Sequence, residues 1–253
     1  MNVNPYKSSQ AESRDVAPPR RVISWKRIGL IVGVIAVLIL LLIPPMSRGV
    51  RPAGERNSCI HNLRQIAHAI LNYETVHGSL PPAYTVDENG NRLHSWRTLI
   101  LPFLENQALY DSIDLTKPWD HPDNAAAYET RVAAYECPSA DADVCLTTYL
   151  AVVGPNCAFT GAEPSELTSE SERRCQIVLV DAPAEDAVHW MSPFDTSPEQ
   201  ILAYEDATLD MNHHASSILV GYANAHVGLY SFESEGQELR TMLLSESDLD
   251  SQE

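Results

Sequence analysis

A chain of 253 residues has room for a membrane segment plus one sizeable domain. Its formal net charge of −17 makes a surface that repels nucleic-acid phosphates and anionic lipid headgroups, which excludes nucleic acid as a partner. The charge itself reads as a solvated face rather than a recognition element.

Residues 1–25 are polar and lack apolar periodicity, so a disordered cytoplasmic tail is expected. The longest apolar run, Ile28 to Ile43, holds sixteen residues without a charge, and Pro44, Pro45 and Met46 extend it to nineteen. A bilayer core of about 30 Å takes roughly 20 helical residues, so the run predicts a single transmembrane helix over 26–46. Lys7, Arg14, Arg20, Arg21, Lys26 and Arg27 outweigh Arg48, Arg51 and Arg56 on the other side. That bias predicts an inner-membrane, single-pass protein with a cytoplasmic N-terminus and an exported remainder. Pro44 to Arg48 lacks the small-residue site of a cleaved signal peptide, which predicts an uncleaved anchor. Gly29 and Gly33, four residues apart, permit close approach of a second helix.

Pro44, Pro45, Gly49, Pro52 and Gly54 interrupt the chain, and Asn57 or Ser58 can cap a new helix. Ile60, Leu63, Ile66, Ala67, Ile70 and Leu71 then recur at three- and four-residue steps, predicting an amphipathic helix that ends at His77-Gly78. Two prolines force Ser79 to Tyr84 to extend. Asp87-Glu88-Asn89-Gly90-Asn91 suits a hairpin turn. It departs from a calcium loop, because the glycine and glutamate places hold Arg92 and Thr98. Trp96 to Tyr110 predicts one buried helix, kinked at Pro102. Beyond Leu146, strand-like pieces at 147–153, 176–180, 217–222 and 226–232 predict an antiparallel sheet, and the whole an α+β fold.

The cysteines, at 59, 137, 145, 157 and 175, all follow the apolar run, where an oxidising compartment permits disulfides. Cys137 with Cys145 and Cys157 with Cys175 would close short loops and are the disulfide candidates, other pairings staying open. No Cys-x-x-Cys pair exists, which argues against a thiol zinc site or a thioredoxin-like centre. His213, His214 and His226 lie near Asp206 and Asp210. Adjacent imidazoles on a strand point to opposite faces, so no metal site is expected. Nucleophile elbow, zincin helix, phosphate loop and dinucleotide fingerprint are absent from the sequence, and neither catalytic residue nor cofactor is expected. Trp96-Arg97, Trp119 and Trp190 are the ligand-binding candidates, since an aromatic beside a charge can stack on a sugar or peptide. The alternative is that these indoles fill the junction of helix and sheet.

Several segments together carry a resemblance: Cys59-x-x-Asn62-Leu63-x-Gln65-Ile66, Asn72-Tyr73, His77 to Ala83, Ser95-Trp96-Arg97 through Glu105, Gln107 to Tyr110, Pro118-Trp119-Asp120, Cys137-Pro138-Ser139 and Val152 to Pro155. In this order they resemble DUF1559, a family of bacterial prepilin-like envelope proteins also labelled SBP_bac_10. The resemblance implies a pilin-like domain over 47–240, a helix packed on an antiparallel sheet, followed by an acidic disordered tail over 241–253. Arg20 to Trp25 replaces the family's prepilin leader, which puts leader processing in doubt. His214 is followed after nine residues by Asn224-Ala225, where the family has Asp-Gly. Losing the glycine predicts a differently shaped turn. The resulting expectation is a non-enzymatic structural or interaction module of the cell envelope that contacts itself or other envelope proteins. The alternative is an extracytoplasmic small-ligand or glycan-binding module.

Overall fold

A computed structural model describes residues 25–42, 50–140, 142–167, 176–204 and 217–244. The chain divides into two compact units, 1–47 and 48–253.

In the first unit, α1 spans Trp25–Leu42. Its apolar part from Ile28 is about 15 residues, roughly 22 Å at 1.5 Å per residue, against the roughly 30 Å of a bilayer core. Among the described residues no helix is long and apolar enough to cross a membrane. The predicted span counted residues to Met46, and 43–49 lie outside the described residues, as do residues 1–24 of the expected tail.

In the second unit, α2 runs Val50–His77, well upstream of the expected Asn57 or Ser58 cap. Pro52 falls in the first turn, where no intrahelical N–H is needed, so the proline that reads as a breaker is tolerated. The stop at Gly78 is as expected: its φ of +84° is one that glycine adopts freely, and its N–H returns to the Glu74 carbonyl at 2.7 Å. The two-proline segment then runs against 161–165, with the Leu80 N–H on the Ser165 carbonyl and the Ala83 N–H on that of Gly161.

Strands β1 (Tyr84–Val86) and β2 (Arg92–Ser95) form the expected antiparallel hairpin. Asp87 Oδ1 accepts the N–H groups of Asn89 and Asn91, and Oδ2 accepts Asn91 Nδ2, all at 2.8 Å. The carboxylate thus serves its own turn, and these bonds, Asn91's first, hold Asp87 below the usual carboxylate range. The single kinked helix predicted over 96–110 is instead three short pieces: α3 (Trp96–Leu99), a 3₁₀ turn (Leu101–Leu104) and α4 (Gln107–Asp111). Pro102 removes a donor, and Glu105 turns left-handed at φ 60°, so the axis breaks rather than bends.

The loop after α4 is tied by Asn124, buried with Oδ1 on the Asp114 N–H and Nδ2 on the carbonyls of Asp114 and Pro118; α5 (Ala125–Tyr128) follows. The main sheet has the order β4-β5-β7-β8, all antiparallel, with β4 at Tyr149–Ala151, β5 at Ile177–Asp181, β7 at Ser217–Tyr222 and β8 at Val227–Ser231. Beside it, β3 (Leu146–Thr147) pairs with β6 (Val188–His189). Two more helices follow from the sequence order, α6 (Pro198–Ala203) and α7 (Phe232–Leu243).

Alternation along the strands gives the sheet two buried faces. Leu179 and Leu219 join Cys59, Leu63, Ile66 and Ile70 of α2 in one core. Val180, Ile218, Val220 and Tyr222 meet Ile201 of α6 and Phe232, Leu239 and Leu243 of α7 in the other. The fold is therefore α+β, a mixed helical and antiparallel arrangement with helices on both faces of the sheet. Gly221 lies where α2 crosses: a Cβ there would stand 3.3 Å from Leu179 Cβ and 3.5 Å from Leu63 Cγ. Helix α7 extends past 240, where the acidic tail was expected to start, and residues 245–253 lie outside the described residues.

In the Asn224-Ala225 turn, Ala225 adopts φ 61°, the left-handed region that glycine enters more readily than alanine. Asn224 Oδ1 accepts the His226 N–H at 2.9 Å and the Tyr222 N–H meets the His226 carbonyl at 2.9 Å, closures that hold the strained residue in place.

Candidate functional site

Three of the four ligand-binding candidates lie in the interior. Trp96 and Arg97 are completely buried and Trp190 is 1% exposed, so the surface role expected of them does not hold. Ser95 caps α3 and, with β2, drives Trp96 and Arg97 inward. The Arg97 guanidinium donates from Nε to the Tyr149 carbonyl (3.1 Å), from Nη1 to Ser95 Oγ (2.9 Å) and the Ser192 carbonyl (3.1 Å), and from Nη2 to Asp195 Oδ1 (2.5 Å). Asp195 also accepts Trp96 Nε1 at 3.1 Å and the Ala151 N–H at 2.7 Å. Its side chain is 3% exposed. Burial lifts the Asp195 carboxyl above its usual range, with Arg97 and these donors acting against the rise. This is a satisfied buried ion pair joining α3 to the 192–195 loop and to β4, a structural element rather than an open subsite. Trp190 donates to the Thr130 carbonyl at 3.0 Å and packs beside Tyr135.

Trp119 is half-buried. Its ring lies 5.8 Å from Tyr128, and Tyr128 stacks at 3.9 Å on His189. His189 is fixed by contacts of Nε2 with the Tyr128 carbonyl and of Nδ1 with the Met191 N–H. Burial depresses the imidazolium here, as it does for His94 beneath the 114–117 loop.

The expected pairing of Cys137 with Cys145 is corrected. Cys137 is bonded to Cys59, with Cα atoms 5.1 Å apart and a sequence separation of 78. Cys145 and Cys157 are free, and Cys175 lies outside the described residues. Short loop closure was the wrong guide, because α2 carries Cys59 directly under the turn that holds Cys137. A signal was present in the sequence: Cys59 and Cys137 stand in the segments that carry the family resemblance, and the other three cysteines do not. Neither free thiol is activated. Burial and then Glu136 raise Cys145, and burial pushes Cys157 up to about 11.

Around the disulfide the matching segments converge. Ser139 Oγ donates to Cys59 Sγ at 3.5 Å, Asn62 Nδ2 to the Glu136 carbonyl at 2.7 Å, and Tyr149 Oη to the Cys59 carbonyl at 3.4 Å. Cys137 lies in the wall of a cleft of about 400 Å³, with Asn62, Arg131, Glu136, Pro138, Asp143 and Leu146 among the other wall residues. Behind it, Asp181 at the end of β5 is fully buried and accepts Thr148 Oγ1. A carboxylate oxygen of Asp181 and the two sulfurs all lie within 4.8 Å of one another. These three residues form a metal-ligand-like cluster among the described residues, but sulfurs bonded to each other do not supply two thiolates. Asp181 was missed in the sequence; its only signal was an acid closing an otherwise apolar strand. Asp206, Asp210, His213 and His214, the sequence's densest imidazole and acid grouping, lie outside the described residues, and His226 sits in its turn stacked near Tyr222.

Residues 48–200, more than half of the chain, match the family model SBP_bac_10, described as a protein of unknown function (DUF1559). No curated protein and no solved structure matches the chain.

Proposed function

The chain belongs to the DUF1559 family, and on that premise we propose a membrane-anchored protein whose N-terminal helix holds an extracytoplasmic, pilin-like domain. Its work is that of a structural or interaction module of the cell envelope, in contact with copies of itself or with other envelope proteins. The observation that carries this reading is α1. Leu30 is 69% exposed, and Val32, Val34, Val37 and Leu38 are each more than half exposed. A helix with that surface calls for an apolar medium, at about 25 cal/mol per Å² of apolar area kept from water. The Cys59–Cys137 bond supports an oxidising compartment for the second unit. The long α2 against an antiparallel sheet supports the pilin-like description.

Membranes of cells expressing the full chain are washed in alkaline carbonate. The full chain stays in the pellet and a chain lacking residues 1–47 leaves it; equal release of both refutes the anchor.

A second reading rests on Trp119 and Tyr128, the latter 38% exposed. Two neighbouring aromatic faces held by His189 suit a pyranose or a peptide side chain. Oligosaccharide titration followed by indole fluorescence tests it, with Trp119→Ala losing the response if the reading holds.

A further inference from the structure

We propose that the Cys59–Cys137 bond is a thiol–disulfide exchange site that accepts electrons from neutral or cationic thiols, such as a cysteine in an uncharged or basic peptide. Three features meet there. Cys137 lines an open cleft, with 8% of its surface exposed. Cys59 is fully buried at the helix–sheet junction. A buried carboxylate, Asp181, stands within 4.8 Å of both sulfurs.

This division of labour is what exchange requires: an attackable sulfur, a leaving sulfur, and a group that handles the proton of the leaving thiol where water does not reach. An incoming thiolate attacks Cys137 Sγ. The new R–S–S bond to Cys137 forms as the Cys59–Cys137 bond breaks, and the electron pair goes to Cys59 Sγ. That thiolate is buried beside a carboxylate, so it is released as the thiol, the proton given up by the incoming thiol reaching it through Asp181. Ser139 Oγ, 3.5 Å from Cys59 Sγ, donates to the departing sulfur. A second thiol then attacks the external sulfur of the mixed disulfide and frees Cys137 as a thiol. Two thiols are oxidised to one disulfide and the protein cystine is reduced to two thiols, so atoms and electrons balance.

The charges on the described wall set the class of thiol. Arg131 is engaged by Glu136 in an ion pair, which leaves the Asp143 carboxylate as the uncompensated charge. The cleft therefore repels anionic thiols.

The test uses the oxidised full chain in detergent. It is exposed to cysteamine, a cationic thiol, or thioglycolate, an anionic one, at concentrations that give equal thiolate, then alkylated and mapped by mass spectrometry. Cysteamine reduces the bond about tenfold faster than the domain globally unfolds, faster than thioglycolate does at low salt, and the mixed disulfide accumulates on Cys137. Asp181→Asn slows reduction at least about tenfold and removes its solvent-deuterium effect, a readout that a purely structural role leaves in place. Should Asp181→Asn fail to fold, Ser139→Ala, with its melting unchanged, still slows the step. The proposal is overturned if wild-type reduction never outpaces unfolding, if folded Asp181→Asn or Ser139→Ala reduces at the wild-type rate, or if the two thiols react equally.

Discussion

Replacing Arg97 with methionine removes the guanidinium and leaves its partners in place. Asp195 Oδ1 loses its 2.5 Å ion pair, and the carbonyls of Tyr149 and Ser192 lose donors at 3.1 Å, all in a region closed to water. Asp195 retains Trp96 Nε1 and the Ala151 N–H, so it is weakened rather than stripped. Breaking a buried pair by removing one partner costs about 3–5 kcal/mol, a large share of the roughly 5–15 kcal/mol that keeps a domain folded. We expect Arg97→Met to fall in that range by urea denaturation of residues 48–253. Arg97→Met combined with Asp195→Leu should recover part of the loss, because no uncompensated charge then remains. A single-variant loss below about 1 kcal/mol, the value of an exposed pair, would refute the reasoning.

Three further expectations follow from particular contacts. Converting both Cys59 and Cys137 to alanine opens a loop of 78 residues, worth about 4.5 kcal/mol of denatured-state entropy in the chain-closure model; an unchanged urea midpoint would show that the bond constrains nothing. Glu105→Gly relieves an exposed left-handed residue at φ 60° and should stabilise by about 0.5–1 kcal/mol, the steric gain less glycine's entropy cost, so a lower melting temperature contradicts it. His94 is fully buried, and that burial lowers its folded pKa against the opposing pull of the Lys117 and Asp114 backbone groups. The unfolded chain therefore binds the proton more readily, and stability falls as pH drops through about 6.5. Part of that fall should vanish in His94→Phe when urea midpoints at neutral and mildly acidic pH are compared; identical pH dependences would count against it.

Local sequence was enough to read the α2 stripe, the Gly78 stop, the Asp87 turn and strands β5, β7 and β8, whereas the single piece read over 147–153 divides into β3 and β4 in separate sheets, and β6 was missed. The α2 start was not legible, since Pro52 is a breaker inside a helix and harmless in its first turn, and local sequence does not say which applies. The break between α3 and α4 depends on Glu105 taking a left-handed conformation that nothing about a glutamate announces. The site shows the same divide more sharply. Trp96-Arg97 looked surface-capable because Asp195, its partner from 98 positions downstream, is an ordinary acid until the fold brings it inward. Cys59 found Cys137, and Asp181 found both, through the crossing of α2 over the sheet, a tertiary fact that cysteine spacing does not encode.

Export of the second unit behind α1, as proposed above, places Cys59 and Cys137 in a compartment where they join. Acid-quenching of intact cells followed by alkylation reads the state of those two thiols directly. The prediction is an oxidised pair in the full chain and a reduced pair in a chain lacking residues 1–47, retained in the cytoplasm. A full chain carrying both thiols free would contradict it.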